Sequence, residues 1–150
     1  MYDSILVATD GSDDASAAVT NAISLARALE IPLYGVAVVE TRTAYDTGIV
    51  DPEEAEDRLR DQARDSLEAL ERAASEAGVS VTTALRTGPP HEEILAYADE
   101  RDIGLLVVGS HGRSSFRRAL LGSTVDAVVR LSERPVLVVD DEGASGRTSS

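Results

Sequence analysis

Short, continuously apolar runs alternate along this chain with stretches of helical periodicity, and this alternation constrains the fold more than any other feature. The apolar runs predict five strands, at residues 4–8, 31–39, 79–86, 105–108 and 135–139. Strands that are apolar on both faces are typical of a parallel sheet with helices on each side. Because crossovers between parallel strands are right-handed, we predict an α/β fold with a doubly wound, open sheet. Ligands of such sheets bind beyond the carboxyl ends of the strands, where the strand order reverses.

Capping residues mark the starts of the first and last predicted helices. Ser12 is placed to cap the first helix. Asp13 and Asp14 follow in its first turn, where the positive end of the helix dipole stabilises carboxylates. The last helix is predicted to open at residues 123–126, whose Ser-Thr-Val-Asp sequence resembles a capping box.

The second helix has a start signal and a stop signal. Asp51 is placed to cap it, Pro52 suits its first position, and Gly78 is placed to end it. A short third helix is predicted over about residues 91–100. The chain is long enough for one domain, which we place at residues 1–140, and the Gly/Ser-rich residues 141–150 are predicted to form a flexible tail.

Three glycines and two hydroxyl side chains follow the fourth predicted strand. They form the pattern Gly-x-x-Gly, nine residues, Gly-Ser-Thr, with members Gly109, Gly112, Gly122, Ser123 and Thr124. Backbone that lacks side chains can approach a phosphate closely, and the N-terminus of the next helix offers unpaired N–H groups. We interpret the pattern as a phosphate cradle. The alternatives are that the glycines only form turns and that the hydroxyls only cap the helix.

Asp10 follows the first predicted strand and would lie beside the glycine pattern if the first and fourth strands are neighbours. A carboxylate at that position suits ribose hydroxyls or Mg²⁺, which prefers oxygen ligands. The alternative is that Asp10 only forms an Asx turn into the first helix.

The region around the glycine pattern is positively charged in an acidic chain. Residues 103–134 hold five arginines and two carboxylates, whereas the whole chain has a net charge of −13. Arg113 is near enough in sequence to reach a terminal phosphate, and Arg117 and Arg118 are weaker candidates. The alternative is that these arginines face the acidic rest of the protein. His111 either helps to bind phosphate or is an exposed loop histidine.

The composition excludes several classes of function. All 14 basic residues are arginine, so a phosphate-binding loop with lysine and a Schiff-base lysine are excluded. The absence of cysteine excludes disulfides, a thiol nucleophile and thiolate metal sites. Nucleic acid is a poor partner for so acidic a chain. We expect no membrane segment and no signal peptide, and therefore a cytoplasmic protein.

The two histidines support no hydrolytic site. His91 opens a His-Glu-Glu sequence, yet no second histidine follows four positions later, which argues against a zinc protease. Ser110 lies outside a Gly-x-Ser-x-Gly elbow, so a hydrolase triad has little support. The high acidity leads us to hypothesise a high-salt cytoplasm and a halophilic archaeal origin, with ordinary acidic solubility as the alternative.

The spacing of Gly109, Gly112, Gly122 and Ser123 resembles the glycine motif of the universal stress proteins. The opening residues 5–12 and the closing residues 134–139 are also similar to that family's first and last strands. The resemblance spans about residues 1–140. It implies a five-stranded parallel sheet of order 3-2-1-4-5 in a Rossmann-like nucleotide-binding fold.

The resemblance also implies ATP, or ADP or AMP, as a ligand and a homodimer formed through the last strand. Val136, Leu137, Val138 and Val139 would pair with the same strand of a second copy. The residues implied to surround the nucleotide are Ala8, Thr9, Asp10, Val38, Val108, Gly109, His111, Gly112, Arg113, Gly122, Ser123 and Thr124. Asp10 is the residue to which a Mg²⁺ would bind.

Three functions are consistent with the sequence. The first is an ATP-binding stress-response protein that acts as a sensor or a partner-binding module, because a cradle of backbone donors binds triphosphate but supplies no lysine and no evident base. The second is an enzyme that hydrolyses ATP slowly or phosphorylates itself. The third is a structural dimer whose glycines only form turns.

Overall fold

The computed structural model describes residues 2–40, 52–111 and 121–141. Its strands and helices alternate throughout these ranges. They are β1 (Ile5–Ala8), α1 (Asp13–Leu29), β2 (Leu33–Val39), α2 (Pro52–Glu76), β3 (Val81–Thr87), α3 (Pro90–Glu100), β4 (Leu105–Gly109), α4 (Ser123–Leu131) and β5 (Val136–Val139). Each predicted strand and helix is present, with ends that differ from the prediction by one or two residues.

The five strands form one parallel sheet of order β3-β2-β1-β4-β5, as predicted. β1 lies in the middle, and Ile5 is in register with Leu33 of β2 on one side and Leu105 of β4 on the other. The strand order therefore reverses between β1 and β4. This junction brings the end of β1 beside the end of β4, which is the neighbour relation that Asp10 and the glycine pattern require.

Each face of the sheet is covered by two helices. Successive strand residues point to opposite faces, so Val7 packs with α1 and α2, whereas Leu6 packs with α3 and α4. β1 and β4 are buried along most of their length, but the two edge strands are only half-buried. The apolar runs thus predict correctly that the central strands are buried on both faces of the sheet. They overstate the burial of the edge strands.

Small residues allow the helices to approach the sheet closely. Ala18 and Ala22 of α1 are fully buried against it. A Cβ added to Gly35 of β2 would lie 2.1 Å from Cδ2 of Leu70, a buried residue of α2. The absence of a side chain at Gly35 is therefore what lets Leu70 pack onto the strand.

The helix starts confirm one capping prediction and correct another. Ser12 caps α1, since its Oγ accepts a hydrogen bond from Ala15 N at 3.2 Å. The capping box predicted at residues 123–126 is wrong. Gly122 is the N-cap of α4 and makes no side-chain capping bond, and its carbonyl accepts from Asp126 N at 2.8 Å. The Asp126 carboxylate instead accepts from Arg130 Nε, one helical turn further on.

Gly78 follows α2 with a φ of 74°, the left-handed conformation expected at the end of a helix. The predicted cap Asp51 lies outside the described residues, as do the tail residues 142–150. In the described parts of the chain, the helices are too short or too polar to cross a bilayer.

Candidate functional site

A cavity of about 360 Å³ opens at the carboxyl ends of β1, β2 and β4. This is the position that the reversal of strand order predicts for a ligand. Ten residues that the sequence analysis placed at a nucleotide site line the cavity: Ala8, Thr9, Asp10, Val38, Val108, Gly109, His111, Gly122, Ser123 and Thr124. The other two, Gly112 and Arg113, lie outside the described residues, as do Arg117 and Arg118.

The apolar wall of the cavity was not predicted. It is formed by residues of β2, α2 and α3, among them Val36, Leu59, Ala63 and Ile94. Leu59 and Ala63 lie four positions apart, the spacing typical of the buried face of a helix. Periodicity shows which face of a helix turns inward, but it does not distinguish a core from a cavity wall.

The N-terminus of α4 faces the cavity without a side-chain cap. Gly122 N donates to Ser110 O at 2.9 Å, which anchors this turn to the end of β4. Helix geometry leaves the first N–H groups of α4 without partners inside the helix. Ser123 is exposed and Thr124 is half-buried, so both hydroxyls are placed beside these N–H groups. This end of the cavity therefore suits an anion.

The N-terminus of α1, at the same edge of the sheet, is satisfied differently. Ser12 N donates to Asp10 Oδ1 at 2.9 Å, and Ala15 N donates to Ser12 Oγ at 3.2 Å. Gly11 N donates to Thr9 Oγ1 at 3.3 Å. Local side chains thus accept from two of the first N–H groups of α1, those of Ser12 and Ala15, whereas the N-cap of α4 is a glycine without a side chain. The first turn of α4 is therefore the better placed of the two to receive an anionic ligand.

The contact of Asp10 with Ser12 N is the Asx turn that the sequence allowed as an alternative role. It engages Oδ1, and Asp10 lines the cavity and is half-buried. The turn holds the carboxylate at the rim of the cavity. A role for Asp10 toward ribose or Mg²⁺ stays a prediction.

Backbone groups of Val38 face the cavity from β2. Val36 O accepts from Thr9 N at 3.0 Å, so the polar backbone groups of Val36 face β1. Backbone orientation repeats every two residues along a strand. The N–H and C=O of Val38 therefore face the same side, past the last residue of β1. Val39 O, which accepts from Gly88 N, faces the opposite side.

Gly109 has a packing role that the sequence did not reveal. A Cβ at this position would lie 2.5 Å from the carbonyl carbon of Asp14 and 2.7 Å from Ala15 N. The first turn of α1 thus passes directly over the end of β4, and a glycine is needed for that approach. The additional role of Gly109 in a phosphate cradle stays a prediction.

His111 is not an exposed loop histidine, because the start of α1 covers it. Only 9% of the residue is exposed, and Nδ1 lies 2.9 Å from Oδ2 of Asp14, which is 2% exposed. Ser110 Oγ lies 3.1 Å from the same ring nitrogen. A hydrolase triad needs the serine and the aspartate on different ring nitrogens. Ser110 and Asp14 therefore do not form the arrangement of a hydrolase triad with His111.

Comparisons with known proteins agree with this geometry. A family profile described as the universal stress protein family matches residues 1–140. The universal stress protein YxiE of Bacillus subtilis is 38% identical over 148 residues, which cover 93% of this chain and 99% of that protein. The chain belongs to the universal stress protein family.

Two solved structures extend the comparison. The structure of MJ0577, a universal stress protein of Methanocaldococcus jannaschii, has a TM-score of 0.81 at 27% identity and covers 100% of this chain and 99% of that one. A universal stress protein solved in complex with cAMP has a TM-score of 0.66 at 29% identity, covering 92% of this chain and 96% of its own.

The close approach of α1 to β4 predicts the effect of a substitution at Gly109. In Gly109→Ala the added methyl meets backbone atoms, which move only if α1 moves. We expect the free energy of unfolding to fall by about 3 kcal/mol or more, measured by chemical denaturation. Gly78→Ala is the control, since nothing lies within 4 Å of its added Cβ. Its positive φ alone should cost about 1–2 kcal/mol. Equal losses in the two variants would contradict the packing role of Gly109.

Proposed function

We propose that this universal stress protein binds an adenine nucleotide, ATP in the first instance, and acts as a nucleotide-dependent sensor or partner-binding module in the stress response. The observation that carries the proposal is the N-terminus of α4, which begins at a glycine N-cap, has no side-chain cap among the described residues and faces a cavity at the reversal of strand order. The cavity also falls within the size range of small-molecule sites, roughly 300–1,000 Å³. The cAMP complex of a relative with 29% identity supports the same class of ligand.

The two ends of the cavity suit the two ends of the nucleotide. The phosphates would lie at Gly122, Ser123 and Thr124, where backbone N–H groups and hydroxyls are donors. The base would lie against the apolar wall from β2 and α2, with the backbone of Val38 as its hydrogen-bonding partner. Asp10 would contact ribose, or hold a Mg²⁺ against the phosphates, since a carboxylate suits that ion. Gly112 and Arg113 complete the proposed set from outside the described residues.

A charge placed at the phosphate end tests this arrangement. We expect Ser123→Asp to weaken ATP binding by about tenfold or more, since the new carboxylate lies beside the phosphates. The same change should leave the protein as stable or slightly more stable, because aspartate is favourable in the first turn of a helix. Calorimetric titration with ATP, ADP, AMP and cAMP, with and without Mg²⁺, measures the affinities.

Ser123→Asn is the matched control, because asparagine is similar in size to aspartate but uncharged. It also loses the serine hydroxyl, so its affinity for ATP should fall below that of the wild type but by less than in Ser123→Asp. If Ser123→Asp binds as well as Ser123→Asn, the phosphates do not lie at α4. If the wild type binds no adenine nucleotide at all, the structural dimer without nucleotide becomes the better hypothesis. Release of phosphate from ATP in the presence of Mg²⁺ would instead favour the slow enzyme.

We also propose that the protein is a homodimer formed through β5. β5 is an edge strand of four apolar residues, and Leu137 is 36% exposed. The opposite edge, β3, carries the charged Arg86, and a charged side chain on an edge strand discourages pairing of strands from different copies. An apolar edge strand without such protection suits pairing with a second copy of itself.

The dimer predicts that charge on β5 separates the two copies. Leu137→Lys should be a monomer by light scattering at concentrations at which the wild type is a dimer. Leu29→Lys is the control, because Leu29 of α1 is exposed to a similar extent, 37%. A wild type that is monomeric, or a Leu137→Lys variant that remains dimeric, would contradict an interface at β5.

The net charge of −13 supports a further part of the proposal, namely a cytoplasmic protein of a high-salt organism. Repulsion among the carboxylates destabilises the folded state at low ionic strength, and salt screens it. We therefore expect the thermal midpoint to rise from low to molar KCl. A midpoint that stays constant or falls over that range would argue for ordinary acidic solubility.

A further inference from the structure

Two polar side chains line the cavity at the end that is formed by β2 and α2. They are Glu40, which directly follows β2, and Gln62 of α2. The other side chains that these two elements contribute to the cavity are apolar: Val36, Ala37, Val38, Val39, Leu59 and Ala63. Glu40 and Gln62 are therefore the polar side chains that a base at this end of the cavity would meet.

The geometry of α2 directs Gln62 to the cavity. Leu59, Gln62 and Ala63 have the spacing of one helix face, and all three line the cavity. Ala63 is 8% exposed and Leu59 is half-buried, whereas Gln62 is exposed, so Gln62 lies at the rim. Most of the other exposed residues of α2 are charged. The amide of Gln62 is neutral instead, and it offers a donor and an acceptor side by side.

Glu40 adds an acceptor at the same end of the cavity. It is half-buried and lies two residues after Val38, whose backbone is the proposed hydrogen-bonding partner of the base. An ionised carboxylate accepts hydrogen bonds and donates none. Within residues 2–40, 52–111 and 121–141, neither the Glu40 carboxylate nor the Gln62 amide makes a hydrogen bond or an ion pair. Both groups can therefore turn to a ligand without breaking a contact in this part of the chain.

These two groups complement the 6-amino group of adenine. That group has two protons to donate, and the ring nitrogens beside it are acceptors. The Glu40 carboxylate can accept one proton and the amide oxygen of Gln62 the other. The amide N–H of Gln62 then donates to the neighbouring ring nitrogen. Glutamine contacts adenine in the same two-bond manner when proteins read DNA.

We infer that Glu40 and Gln62 select adenine over purines that carry an oxygen at position 6, an inference that rests on the proposed nucleotide site. In hypoxanthine or guanine that oxygen would face the Glu40 carboxylate with no proton between them, and two unpaired acceptors disfavour binding. Gln62 alone does not discriminate, because a half-turn of its amide exchanges donor and acceptor. Glu40 is thus the specificity-determining residue, and Gln62 adds affinity.

ATP and inosine triphosphate test this inference, because they share ribose and triphosphate and differ only in the base. Calorimetric titration of the full chain gives the ratio of their dissociation constants, in which the phosphate contacts cancel. We expect the wild type to prefer ATP by about tenfold or more. In Glu40→Gln the preference should fall by about tenfold, since an amide can donate to the 6-oxygen. In Gln62→Leu the affinity for ATP should fall by about fivefold or more.

Asp61 provides a matched control for each variant. It is the exposed neighbour of Gln62 in α2, and it is not among the residues that line the cavity. Asp61→Asn removes one negative charge, as Glu40→Gln does, and should keep the wild-type preference for ATP. Asp61→Leu adds the same side chain as Gln62→Leu one position away, and should bind ATP with nearly the wild-type affinity.

Several outcomes would overturn the inference and leave the proposed nucleotide site standing. They are equal binding of ATP and inosine triphosphate by the wild type, an unchanged preference in Glu40→Gln, and as large a loss of ATP affinity in Asp61→Leu as in Gln62→Leu. A wild type that binds neither nucleotide would instead contradict the proposed function, and the inference would fall with it.

Discussion

The close approach of α1 to the end of β4 is the constraint on which the rest of the site depends. It is possible only because Gly109 has no side chain, since any Cβ there would meet the backbone of Asp14 and Ala15. The contact decides where the first turn of α1 lies, and so where Asp10 and Asp14 lie relative to the glycine pattern. The strand order brings β1 beside β4, but Gly109 sets how closely α1, the helix that follows β1, approaches the end of β4.

The N-termini of α1 and α4 lie at the same edge of the sheet, and the hydrogen bonds of their first N–H groups favour α4 as the position of an anion. The side chains of Asp10 and Ser12 accept hydrogen bonds from two of the first N–H groups of α1, those of Ser12 and Ala15. Gly122 caps α4 without a side chain, so the donors of α4 stay directed at the cavity. Two glycines of the pattern therefore have different roles. Gly109 lets α1 pack onto the end of β4, and Gly122 leaves the start of α4 without a capping side chain, which is what an anionic ligand would require. That division is the strongest structural argument for a phosphate at α4.

Much of the site could be predicted from the sequence because its signals are local. Gly122, Ser123 and Asp10 stand next to strand ends, and strand ends are visible in the apolar pattern. The apolar wall could not be predicted, since Leu59 and Ala63 have the same spacing in a cavity wall as in a core. Asp14 was assigned only to the helix dipole, because its burial depends on β4, which lies far along the chain.

The sequence by itself determined the order of strands and helices along the chain, the cap at Ser12 and the glycines that line the cavity, because each follows from neighbouring residues and their periodicity. Only the tertiary structure decided which distant groups converge. His111 meets Asp14 across 97 positions, and Ser110 meets Asp140 across 30. Those contacts depend on the order of strands in the sheet and on how closely α1 approaches β4. Local periodicity contains no information about either, since both result from packing between parts of the chain that are remote in sequence.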